Sequence, residues 1–368
     1  MATNDSPLSV AASRSLLLDL DNGGGGGSGN LSITGPISEG STVSVSPTDG
    51  NFGDFDGVVV QYARGDEGAN NDPIEGEAAT LGAQGTLGTF VIGLGADSSG
   101  EHLLFSNANT RPGRSMSLRR RSNNGGSNRN GGFGYGGGRS DQKLFISYWR
   151  YSKSGSYSIS DVNWKDYYVF GNGTSGASLT EVPQPILHVP AGQSAYAMGA
   201  NLSGSDSNVF SNAGWSLGSD TEDKWQRWDT LVVLNTPGVS DGVCRVWRDR
   251  TVGIEDESFM WQPGNMNVNC TGWKNYRLGY MDINYNGAIR DYTDSYVATT
   301  EARVEIGNAS TWDACTHTEI LPVSETDWSS TSISNVVLDS AGLGSLSGNY
   351  LYVIKSDGTP YNQNGEPL

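Results

Sequence analysis

Charge, histidine and cysteine are all sparse in this chain, and each scarcity excludes something. Only 17% of its 368 residues are Asp, Glu, Lys or Arg. Helical bundles and coiled coils need dense Ala, Glu, Lys and Leu. No segment here keeps a 3.6-residue apolar period for three turns, so both are excluded. The three cysteines, Cys244, Cys270 and Cys315, cannot all pair within one chain and form no CxxC metal or redox motif. They read as buried or half-buried thiols. His102, His188 and His317 are equally scattered, which argues against a three-histidine metal site. No apolar run approaches the roughly 20 residues of a membrane span. Leu16-Leu17-Leu18 is too short for the apolar part of a secretory signal and ends at Asp19. Lys and Arg number 23 against 40 Asp and Glu, giving −17. That balance disfavours a nucleic-acid partner and an anionic membrane surface.

What the chain does have is glycine, 51 residues of it, and aromatic bulk in 10 Trp and 16 Tyr. Residues 1–30, with Pro7 and the run Gly23 to Gly27, read as a flexible N-terminal arm. Leu31-Ser32-Ile33-Thr34 and Thr42-Val43-Ser44-Val45-Ser46 alternate apolar and polar residues, which predicts a small β-unit over 31–50. From 51 to 368 short β-branched and aromatic runs recur between Gly-rich turns. Leu144 to Trp149, Tyr167 to Phe170, Trp228 to Leu234, Val243 to Trp247 and Ala302 to Ile306 are among the clearest. The expected fold is all-β: an antiparallel β-sandwich of jelly-roll type. One hairpin can be read closely. Trp228–Leu234 and Val243–Trp247 flank a loop with Pro237-Gly238 and Asp241-Gly242, both turn formers. Period two places Trp228, Thr230, Val232 and Leu234 on one face and Asp229, Leu231 and Val233 on the other. Bulk on both faces predicts an inner strand.

Residues 111–139 stand apart, with seven arginines and no acid, so the rest of the chain carries −24. Poor in apolar residues, the segment reads as a long loop. Its run Arg119-Arg120-Arg121 could meet nucleic-acid phosphates, or dock on an acidic patch of a neighbouring subunit. The acidity of the whole favours docking.

Several stretches resemble the concanavalin A-like lectin/glucanase superfamily, the jelly roll shared by lectins, laminin G-like modules and several polysaccharide lyases. The carriers are Lys143 to Arg150, Asn163-Trp164-Lys165, Lys224 to Asp229, Leu234 to Gly238 and Asp241 to Asp249. Arg250 stands where the resemblance puts a glycine. Residues 302–307 through 350–353 look like the tail that follows such domains in phage-like and marine bacterial sequences. In phage settings such modules are similar to fibre, decoration or tail-associated parts. The resemblance implies action outside cells, and hence a virion or other extracellular particle after cytoplasmic synthesis. It implies no single activity, because one fold hosts many.

Each candidate site has a plainer rival. The glucanases of this superfamily use a strand of three alternating carboxylates, and Glu255-Asp256-Glu257 offers only two on one face, so a solvated acidic turn is the better reading. A lyase needs a Tyr or His to take a proton and an Arg, Asn or Gln to neutralise a uronate. His188, Arg227, Arg245, Tyr280 and Tyr285 supply the types without a joined motif. For sugar binding, Trp225, Arg227, Asp229, Arg245 and Trp247 could form a wall of indoles and hydrogen-bonding groups on one curved sheet, against the rival that most tryptophans are core. Trp261 and Trp273 are further candidates for that wall. Asp282, Asn284 and Asn286 alternate like calcium ligands, but position 293 is Thr where an EF-hand needs Glu, and turn-forming residues are the rival. The expected function is therefore a non-enzymatic, glycan-facing structural protein of a phage particle. It would act as a homo-oligomer beside other virion proteins, with Ca²⁺ its one candidate cofactor and many weak sugar contacts adding up. A polysaccharide lyase or glycoside hydrolase is the alternative, and a purely architectural subunit the third reading.

Overall fold

The computed structural model describes residues 29–72, 74, 78–81, 85–89, 103–121, 133–135, 139–154, 164–172, 183–189, 195–200, 209–216, 222–262, 270–279 and 289–368. All but two residues of the expected arm lie outside this set. Among the described residues there is no α-helix, only strands and three single 3-10 turns. The molecule is an antiparallel β-sandwich.

Eight strands form the larger layer. In spatial order they are β16 (Thr251–Phe259), β15 (Gly242–Arg248), β14 (Trp225–Val233), β9 (Lys143–Ser152), β18 (Ile289–Ala298), β7 (Ser117–Arg121) and β6 (Leu103–Ser106). The eighth, β3 (Val59–Ala63), pairs with the other end of β18. The facing layer runs β13 (Val209–Ser216), β12 (Ala195–Ala200), β11 (Pro185–Val189), β10 (Trp164–Gly171), β17 (Trp273–Leu278) and β8 (Phe133–Tyr135). A separate ribbon pairs β4 (Ala78–Leu81) with β5 (Gly85–Thr89). Tyr148, Tyr167, Trp228, Trp261, Trp273 and Tyr276 fill the space between the two layers.

The hairpin read from the sequence is present as β14–β15, with Trp228 opposite Arg248 and Val233 opposite Val243. Its parity also holds: Trp228 and Val232 enter the inter-layer core, while Leu231 and Val233 join a second core on the outer face. That second core is made by the two ends of the chain. The hairpin β1 (Leu31–Thr34) and β2 (Thr42–Pro47) pairs with β22 (Ser332–Val337), which in turn pairs with β21 (Trp328–Ser329). Beside it lies β20 (Thr318–Leu321), β19 (Arg303–Gly307), β23 (Tyr350–Ile354) and β24 (Glu366–Pro367). The small β-unit expected over 31–50 is thus completed by the C-terminal segment. Its side chains, Val45, Val304, Ile306, Ile333 and Leu351 among them, pack on Phe145, Leu231 and Tyr296 of the eight-stranded sheet. Burying a large apolar side chain contributes roughly 1.5–3 kcal/mol. A shared core of this extent fixes the end-built unit as a third layer.

Candidate functional site

The five residues proposed as a sugar-binding wall lie on β14 and β15, and period two turns all of them to the outer face of the eight-stranded sheet. The end-built unit covers most of that face. Arg227 is 3% exposed. Its guanidinium forks onto Glu305 at 2.7 and 3.0 Å, donates to Thr318 Oγ1 at 2.7 Å, and reaches Asp229 at 3.0 Å through Nε. Arg303 donates to the same Glu305 at 2.5 Å. Burial by itself would raise the Glu305 carboxyl, but Arg227 and Arg303 beside it hold it well below the usual range. Arg227 therefore clamps two layers together. It is not part of an open trough.

The other four separate. Trp225, at the start of β14, lies half-buried against the Tyr151 ring, with centroids 5.8 Å apart. Arg245 is engaged by Glu255, at 3.6 Å, and by Glu257, both exposed acids of β16. Asp229 and Trp247, direct cross-strand partners, come together at a gap between the sheet and the end-built unit. This seam pocket, about 150 Å³, is lined by Phe145, Asp229, Trp247, Arg250, Glu301, Arg303, Trp312 and Gly358. The volume holds on the order of ten waters, which suits a single sugar ring.

Each wall of the pocket has a local cause. Arg250 sits in the β15–β16 turn, where it and Asp249 have φ of 65° and 47°. Two successive left-handed residues give the tight, twist-matching hairpin turn. Asp249 secures it by accepting the Arg227 backbone N–H at 2.9 Å. Trp312 belongs to a 3-10 turn, and the Arg250 guanidinium lies 3.9 Å from its ring centre while donating to its carbonyl at 2.8 Å. Arg303 lies 4.4 Å over the Phe145 ring and donates to the Glu301 carbonyl at 2.6 Å. Gly358 has φ of 82°, and a Cβ there would stand 2.5 Å from Glu301 Oε1. Only glycine leaves this rim open.

A larger cleft of about 780 Å³ runs between the β1–β2 connection and the 337–347 segment. Its charges are already engaged within the protein: Arg64 faces Asp66 and Asp339, each at 3.6 Å, and Glu39 accepts the Ser340 N–H. The seam pocket is the better site because it joins aromatic faces to charged groups.

The arginine segment was expected as a docking loop, and here the structure corrects the sequence reading. Ser117–Arg121 is strand β7, hydrogen-bonded to β18. Arg119 holds Asp291 at 2.7 and 2.8 Å, and Arg120 is buried. Arg121 lies opposite Ile289 in the register. Arg111 and Arg114 converge on Asp294 at 2.6 and 2.5 Å, with Tyr62 donating to the same carboxylate at 2.9 Å. Arg111 also meets Glu319, and its guanidinium lies 3.7 Å over Trp149. The acids that answer Arg111, Arg114 and Arg119 are the chain's own, far away in sequence.

The remaining candidates divide simply. Asp282, Asn284 and Asn286, with Tyr280, Tyr285 and His102, lie outside the described residues. Among the described residues no cluster of His, Cys, Asp and Glu could hold a metal ion. Glu255, Asp256 and Glu257 lie within strand β16 and not in the expected turn; Glu255 and Glu257 are exposed, and Asp256 accepts from the Ser258 N–H of the same strand. Trp261 and Trp273 are fully buried between the layers. His317 lies beside Glu319 at 2.6 Å and against Trp149. Position 188 lies opposite Lys165 in the β10–β11 register. The sequence reading missed Glu301, Arg303 and Trp312 as pocket residues. A strand fragment and a short turn more than fifty residues downstream carry no local mark that they fold back on β14 and β15.

No protein-family model matches the sequence, and no curated protein matches it. Solved structures do show similar strand arrangements. A marine PL-14 alginate lyase from Aplysia kurodai is 12% identical, with 55% of this chain and 89% of that one covered and a TM-score of 0.39. The alginate lyase Aly36B is 13% identical over 64% of this chain and 95% of its own, with a TM-score of 0.44. An endo-β-1,4-glucuronan lyase from Trichoderma reesei is 8% identical over 57% and 87%, with a TM-score of 0.37. The likeness lies in the β-sandwich, and no residue role is transferred from it.

Proposed function

We propose that this chain is a carbohydrate-binding β-sandwich protein that seats one residue of a polysaccharide in the seam pocket. The observation that carries the reading is the pocket's composition: Trp247, Trp312 and Phe145 beside Asp229, Arg250, Glu301 and Arg303. Indole faces stack on the C–H surfaces of a sugar, and a few fixed charged groups hydrogen-bond its hydroxyls. Among the described residues the wall includes no His, Tyr, Lys or Cys to shuttle a proton. Its two carboxylates are engaged as well, Asp229 by Arg227 at 3.0 Å and Glu301 by Lys143 at 3.4 Å. Both points favour holding over cleaving. Calorimetry against a panel of oligosaccharides tests this. Trp312→Ala should weaken binding at least tenfold, and Trp225→Ala, on the same sheet face but outside the pocket, should not. A panel with no binder overturns the proposal. Multivalent display on a virion is the finer part of the same proposal. Solution mass reads it: a trimer or larger supports display, and a monomer removes it.

A polysaccharide lyase is the second reading, favoured by the outer face of the six-stranded sheet. Tyr167 and Val169 of β10 point into the core, so Tyr168 and Phe170 take the opposite side, and a bulge between Lys165 and Tyr167 brings Lys165 over the Tyr168 ring on that same side. The register sets positions 188 and 277 beside Lys165 and Tyr168. Those residue types, His, Lys, Tyr and Arg, are the ones that abstract a proton and neutralise a uronate. Absorbance from unsaturated ends during incubation with polyuronates, lost in Tyr168→Phe, would replace the binding proposal with this one.

A further inference from the structure

We infer that the seam pocket is a receptor for an anionic group, with Arg250 as the residue that selects it. This rests on the glycan reading of the pocket and names the class of sugar: one that carries a carboxylate or a sulfate ester.

The charges around the pocket are nearly all matched within the protein. Arg227 and Arg303 share Glu305. Asp229 is held by Arg227, and Glu301 by Lys143. Arg250 is the exception among the described residues. Its partners are the Trp312 ring and the Trp312 carbonyl, both neutral, and it forms an ion pair with no described acid. A half-buried cation without a counter-charge is unfavourable unless something supplies one. Burial lowers the Arg250 pKa; nearby Glu305 opposes that and Arg227 adds to it.

The backbone points the same way. Arg250 has φ of 65°, a left-handed conformation that a glycine enters without its Cβ striking the next carbonyl. Strained residues of this kind persist where the surrounding contacts over-determine them, and they gather at ligand sites. Here the guanidinium stands 3.9 Å from the Trp312 ring centre in the wall of the cavity. A planar fork stacked on an aromatic face recognises two oxygens of a carboxylate or sulfate side by side, which an ammonium does not.

Three probes of matched length decide the matter by calorimetry on the full chain: a galacturonate trisaccharide, a sulfated galactan trisaccharide and a neutral β-glucan trisaccharide. At least one acidic probe should bind tenfold or more tightly than the neutral one, and added salt should erode that preference. Arg250→Gly should abolish the preference, Arg250→Lys should restore only part of it, and Trp225→Ala, outside the pocket, should leave the binding of all three probes unchanged. The glycine variant relieves the backbone strain, so its melting temperature reports whether the fold survives. Equal binding of all three probes, or a preference unchanged in Arg250→Gly, overturns the inference and leaves the glycan reading standing. Inorganic sulfate binding lost in Arg250→Gly, with no sugar bound, keeps the anion receptor and overturns the glycan reading. No binding by any probe overturns both.

Discussion

Arg227 shows what a polar residue on a sheet can become when a third layer arrives. Its pairing with Glu305, Asp229 and Thr318 is fully enclosed. Removing one partner of a buried pair costs about 3–5 kcal/mol because the other is left charged and alone. Glu305 keeps Arg303, so Arg227→Met should lower unfolding free energy by about 3 kcal/mol, the bottom of that range, as read by urea titration. The cysteines give a second test at this scale. Cys244, Cys270 and Cys315 are all free and buried, and burial pushes Cys270 up to about 11 and Cys244 well above its ordinary value. A thiol reagent at neutral pH should label none of them until denaturant is added. Their burial was legible from the sequence. The role of Arg227 was not, because its strand partners reveal its face but not what lies over that face.

At the scale of elements, local pattern was informative and long-range pairing was not. Alternation placed Trp228 and Val232 on one side of β14 and Asp229 and Leu231 on the other, because side-chain parity is a property of the strand itself. Residues 111–121 misled for the opposite reason, while 122–132 and 136–138 of the expected loop lie outside the described residues. Arginines on β7 look like a solvated charge run until Asp291 on the neighbouring strand is known. The layer joint has a pH signature of definite sign. Glu305 and Asp294 are both held below their ordinary values of 4.5 and 3.8 by the arginines around them, against the upward push of burial. Carboxyls depressed in the fold contribute stability above the unfolded values, and that contribution is lost as pH falls through the window toward the folded ones. The melting temperature should thus hold from neutral pH to about 5 and decline below the ordinary carboxyl values, with Glu305→Gln flattening the decline while lowering the plateau.

For the molecule as a whole, the sandwich was visible in the glycine-punctuated strands, and the third layer was not, since it joins residues 31–47 to residues 328–337 across the entire sandwich. That layer covers Phe145, Leu231, Tyr296 and Tyr62. A chain ending at residue 298 should therefore expose a broad apolar face. It should bind a hydrophobic dye such as ANS and aggregate, and a soluble, dye-silent truncation would show that the layer is dispensable.

The pairing of β2 with β22 also sets an order of events during synthesis. β2 is made well before β22 and finds its neighbour only after the chain up to residue 337 has emerged, and contacts so remote slow the search. Until then Val43 and Val45 stand as an unpaired edge, the kind of surface that chaperones hold or that captures a sister chain. Completion of this layer is thus gated by residues 332–337, and a stop codon ahead of them strands β2 as surely as it removes β22.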